Sequence, residues 1–170
     1  VAFAHKRGVV NRGLPPSRVM IAVFGEVQVM EWGLARAIEP GEDRKRVLEA
    51  GVALMGGDAA AFPQLSLVPM IKGTPGYMSP EQAQAKPAGV ASDVYALGAI
   101  LYQILTLRLP VDGRSTPEII QRTIEGAVIP PEKRSGARGL PKAMCQAAMK
   151  ALSLDPAARH ADARELAREV

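Results

Sequence analysis

A chain of 170 residues, 48% hydrophobic and 22% charged, can bury one sizeable core and falls in the range of a soluble single-domain protein, residues 1–170 forming one unit. Its formal net charge of +4 and pI near 9.5 come from scattered basic residues. The densest cluster, Arg44-Lys45-Arg46, has few aromatics nearby, which argues for a solvated face and against nucleic-acid binding.

No stretch reaches the roughly 18 apolar residues of a membrane span, the nearest being Val94 to Leu107, broken by Gln103. No secretory signal opens the chain. The lone Cys145 lies in an apolar helical pattern with no cysteine to pair with, which fits a core thiol in a reducing, cytoplasmic setting.

In chain order, Val1 to Arg7 reads as the last turns of a helix closed by Gly8. The start in mid-pattern at Val1 leads us to expect a missing N-terminal piece. Asn11 to Arg18 is a proline-bearing loop. Val19 to Val23 and Glu26 to Met30 form a hairpin turned at Phe24-Gly25, and Glu31-Trp32-Gly33 follows at once. Leu34 to Lys72 is long and loosely patterned, with a charged stretch over 39–49 that reads as a short helix and a turn over 56–58.

Gly73 to Gln82, Gly-Thr-Pro-Gly-Tyr-Met-Ser-Pro-Glu-Gln, is a shaped loop, because its glycines permit unusual backbone angles and its prolines fix φ. Ala91 to Leu107 is a nearly all-apolar helix, the expected centre of the core, with Ser92 as its N-cap. A helix capped by Thr116 runs to about Glu125. Pro141 to Leu152 is another, and a last one covers about Ala161 to Val170, with Asp162 near its start. His5 and His160, with no second ligand at metal spacing, read as a helix-end and a surface histidine.

This order of features resembles the C-terminal lobe of a bacterial-type serine/threonine protein kinase along essentially the whole chain. Ser79-Pro80-Glu81 stands where A-P-E closes the activation segment, residues 11–18 where the catalytic loop H-R-D-L-x-x-x-N lies, and Glu31-Trp32-Gly33 where the metal-binding D-F-G lies. The resemblance implies a mainly α-helical lobe with one small β-hairpin near its N-terminus, no N-terminal lobe in this chain, and an activation segment over 31–81 enlarged by an insertion. It assigns no cofactor, ATP and Mg²⁺ being implied only if the chain is part of an active kinase whose N-terminal lobe lies outside it.

Most of the catalytic positions are not filled. The proton-accepting aspartate is replaced by Gly13, which has no side chain, and the metal-binding asparagine by Arg18, a permanent cation. The lysine two places after the aspartate is Pro15, and the histidine is Asn11. Glu31 keeps a carboxylate one methylene longer, open to two readings: a weak Mg²⁺ ligand, or a solvated or capping group. Trp32 replaces the phenylalanine and is expected to pack in the core.

The scaffold positions are kept. By the resemblance Glu81 pairs with Arg159, Asp93 braces the catalytic-loop backbone, Arg12 is the H-R-D arginine, and Thr74 has lost the aspartate it would bond. Arg12 also raises the possibility of an activation-loop phosphate on Ser66 or Thr74, with an unmodified Ser66 the favoured reading. The expectation is an inactive, pseudokinase-like member that acts, if at all, by binding a protein partner on this lobe. The alternative is part of an active ATP-dependent kinase whose N-terminal lobe lies outside this chain.

Overall fold

Short local signals decide where the elements begin and end. In the computed structural model, which describes residues 1–37, 73–134 and 139–170, helix α1 covers Ala2–Lys6 and gives way at Gly8 to strand β1, Val9–Val10. Strands β2 (Val19–Ile21) and β3 (Val27–Val29) pair antiparallel with Val19 opposite Val29. A second two-stranded sheet, absent from the sequence reading, joins β1 to β4 (Arg36–Ala37), Val10 facing Arg36. Strands of two residues are too short to show alternation, and their partners lie far apart in the chain. This small sheet sets the loop over residues 11–18 beside residues 31–34.

The remaining elements are helical. Gly76 takes φ +91°, a conformation open to glycine and costly to other residues, and leads into α2, Pro80–Ala83. Ser79 caps α2 in both directions. Its Oγ accepts from the Gln82 amide at 3.4 Å, and its own amide donates to Gln82 Oε1 at 3.1 Å.

Helix α3 runs Val90–Thr106, with Gly89 at the N-cap position where Ser92 was expected. Ser92 sits inside the first turn, accepts from the Gly89 amide at 3.1 Å and donates to Glu81 Oε1 at 2.7 Å. Its hydroxyl caps backward because a carboxylate from α2 holds its proton.

Helix α4, Thr116–Ile124, is also capped earlier than expected, by one residue. Ser115 is extended and accepts from the Glu118 amide at 3.4 Å, so Thr116 and Pro117 occupy the first turn, where a missing N–H costs nothing. Helix α5 covers Lys142–Ala151, and α6, Ala163–Arg168, is capped by Asp162, which accepts from the amides of Arg164 and Glu165 at 2.8 Å each.

The core is built on α3. Val94, Tyr95, Ala99 and Tyr102 are buried on it, and Ala147, Ala148 and Ala151 of α5 and Leu166 of α6 close over them. Small residues let α3 and α5 approach closely, and Cys145 is buried at the start of α5. The expected helix over 39–49, the turn over 56–58, Ser66 and most of the segment over 31–81 lie outside the described residues. Among the described residues no helix is long and apolar enough to cross a membrane.

Candidate functional site

Asp93, 1% exposed in the first turn of α3, organises the loop over residues 11–18. Its Oδ2 accepts from the Asn11 amide and its Oδ1 from the Arg12 amide, both at 2.7 Å. His5 Nε2 of α1 lies 3.0 Å from Oδ2. These bonds hold Arg12 in a left-handed conformation, φ +65°, which costs a non-glycine residue on the order of 1 to 3 kcal/mol. Gln82 of α2 donates to the Arg12 carbonyl at 2.8 Å, and Asn11 Oδ1 accepts from the Gly13 amide at 3.0 Å.

The Arg12 side chain turns the other way and donates from Nε to the Leu34 carbonyl at 2.8 Å. Burial lowers its pKa, the nearby Arg36 lowers it further, and Asp93 opposes both. His5 had no signal in the sequence as a member of this cluster, because its partner is 88 residues away.

Gly13 and Arg18 meet inside the loop. Arg18 Nη1 donates to the Gly13 carbonyl at 3.1 Å, and a Cβ added at Gly13 would lie 2.7 Å from the same nitrogen. Arg18 Nε pairs with Glu31 Oε2 at 2.9 Å. Glu31 itself has φ +55° and leads into the single turn Trp32–Leu34. Pro15 is buried at the loop's turn. Trp32, expected in the core, is 37% exposed and donates from Nε1 to the Val29 carbonyl at 2.9 Å. Leu34, half-buried, packs toward the loop, its Cδ1 3.0 Å from the position of a Gly13 Cβ.

Behind this loop, Arg159 Nη1 and Nη2 donate to Glu81 Oε1 and Oε2 at 2.8 and 2.9 Å, the bidentate geometry that gives such pairs their strength. The guanidinium lies 5.0 Å from the Tyr95 ring centre. Burial raises the Glu81 pKa, but the hydrogen bonds from Arg159 and Ser92 outweigh it, and the net shift is downward. Thr74 opens the turn into α2, its carbonyl accepting from the amides of Tyr77 and Met78 at 3.0 and 3.1 Å. His160, expected at the surface, is buried, and its Nε2 lies 2.9 Å from Oε2 of Glu169, the residue just past α6, a contact across nine positions that its neighbours in sequence do not signal.

A family model described as the protein kinase domain matches residues 1–169. The chain belongs to the protein kinase domain family. It is 35% identical over 166 residues to serine/threonine-protein kinase PknD of Chlamydia felis, covering 98% of this chain and 17% of that protein. The protein of the same name from Chlamydia muridarum is 34% identical over 169 residues, covering 98% of this chain and 18% of that one. The match to the Chlamydia abortus protein is 32% over 170 residues, covering 100% of this chain and 17% of the relative. The chain thus spans about a sixth of the length of these bacterial kinases.

In a member of this family the implied metal is Mg²⁺, which requires near-octahedral oxygen ligands at about 2.1 Å. The residues present do not fit it. Gly13 offers only a carbonyl already bonded to Arg18, Arg18 is itself cationic, and the Glu31 carboxylate is paired with that cation. Among the described residues no group of three or more acidic, histidine or cysteine side chains converges as a metal site elsewhere.

Proposed function

We propose that this chain is a catalytically inactive, pseudokinase-like member of the protein kinase family that acts by binding a protein partner. One observation carries the reading. The scaffold around the catalytic loop is braced through Asp93 on the Asn11 and Arg12 amides, yet the position so braced, Gly13, has no side chain to orient or deprotonate a hydroxyl. A kept frame around an absent base fits a protein retained for its shape.

The surface that suits a partner runs along α4 and α5. Leu154, half exposed against Gly126 just past α4, presents apolar surface there. The setting we propose is the cytoplasm, with a protein rather than a nucleic acid as partner.

Two measurements on the purified chain test the inactive reading. In a phosphotransfer assay with a general protein substrate, ATP and Mg²⁺, we expect no incorporation above a no-enzyme control. In thermal unfolding, millimolar ATP with Mg²⁺ should leave Tm unchanged, since a ligand that binds only the folded state must raise it. Incorporation of phosphate would refute the inactive reading, and a clear rise in Tm would refute an empty nucleotide site.

A further inference from the structure

The Arg18 side chain does more than fail as a ligand. We propose that Arg18 is a tethered cation standing in the metal's place at Glu31, and that Gly13 is the residue that makes room for it. This deepens the inactive reading and rests on it. Standing at the position of one metal ligand, the guanidinium pairs with the carboxylate at the position of the other, Glu31, at 2.9 Å, and also donates to the Gly13 carbonyl at 3.1 Å.

It can do so because position 13 has no Cβ. Any side chain there would begin 2.7 Å from Arg18 Nη1 and 3.0 Å from Leu34 Cδ1. Gly13 and Arg18 are therefore a matched pair and not two independent losses. A cation fixed to the same loop acts at a high effective concentration, so a free divalent ion has to displace it and then meet its charge. The left-handed backbone at Glu31 is an independent sign that this corner is held in one arrangement.

The local reporter is already present. Trp32 is the chain's one tryptophan, adjacent to Glu31 and 37% exposed. Mn²⁺, an oxygen-seeking paramagnetic ion, quenches tryptophan emission when it binds nearby. On titration to millimolar Mn²⁺, the wild-type chain should show no saturable quenching.

Arg18→Asn, which removes the cation and supplies an oxygen, should gain saturable quenching that Mg²⁺ reverses and that Arg18→Asn/Glu31→Gln loses. Gly13→Ala keeps Arg18 but displaces its guanidinium, and should gain a weaker form of the same quenching. It serves as the second variant if circular dichroism shows Arg18→Asn to be unfolded. Saturable, Glu31-dependent quenching in the wild type, or none in either folded variant, would overturn the role of Arg18. Phosphotransfer by the wild type would instead overturn the inactive reading, so the two failures are distinguishable.

Discussion

Arg159 is a cation withdrawn from water and fully satisfied where it lies. Its five N–H donors meet five acceptors: Ser153 O, Glu81 Oε1, Ala91 O, Glu81 Oε2 and Leu154 O. Its side chain is 0% exposed and that of Glu81 12%. Removing one partner leaves the other charge buried and unpaired, so Arg159→Ala should lose about 3 to 5 kcal/mol of unfolding free energy, read from urea denaturation. The double variant Glu81→Ala/Arg159→Ala should lose clearly less than the sum of the two single losses, because the second truncation removes the orphan. The Arg18–Glu31 pair lies at the other extreme. With Glu31 67% exposed, Glu31→Gln should change stability by less than about 1 kcal/mol in the same experiment.

Between elements, the close crossing of α3 on α5 depends on a glycine in mid-helix. A Cβ added at Gly98 would lie 2.5 Å from the Ala151 Cβ and 3.4 Å from the Ala148 carbonyl oxygen. Two effects of Gly98→Ala then compete. Helix propensity favours alanine by about 0.8 to 1 kcal/mol, and overpacking costs about 1 to 3 kcal/mol. We expect the second to win, so that Gly98→Ala unfolds at lower urea than wild type, while Gly98→Ala/Ala151→Gly recovers most of the loss. An unchanged or higher midpoint for Gly98→Ala would show that the two helices can part without penalty.

For the molecule as a whole, shifted groups among the described residues shape the pH range of full stability, Glu81 at the acid end and Tyr95, with the equally buried Tyr102 beside it in the core, at the alkaline end. The Glu81 carboxyl titrates below its ordinary 4.5 in the folded state. A depressed carboxylate contributes stability that is present above its unfolded pKa and lost as pH falls through the folded one. Tyr95 is pushed up to about 12, chiefly by burial. A raised phenol contributes stability that is present below its unfolded pKa near 10 and lost as pH rises toward 12, on the order of 2 to 3 kcal/mol.

Urea midpoints across pH should therefore show a plateau between about 5 and 10 with both ends falling. Glu81→Gln should make the acid limb shallower and Tyr95→Phe the alkaline one, with Tyr102 supplying part of what remains at high pH. Limbs as steep in those variants as in the wild type would assign the pH dependence to other groups.

The sequence alone was enough for the features whose cause is local. The order of loop, hairpin, Glu31-Trp32-Gly33 and Gly73 to Gln82 pointed to the kinase family, and the apolar run of α3 marked the core. The absence of a base at Gly13 holds in any fold, since glycine has no side chain to place. What only the tertiary structure decided are contacts made across the chain. Asp93 reaches the Asn11 amide 82 residues away and His5 88 away, and Glu81 turns Ser92 from an N-cap into a bridge. His160 is buried rather than exposed and meets Glu169 nine residues on, and Trp32 is partly exposed with its indole N–H tied to the Val29 carbonyl. Periodicity records which face of an element is apolar but not which distant group will meet it there, so the Arg18 guanidinium at Gly13 and Glu31 became visible only once the chain was folded.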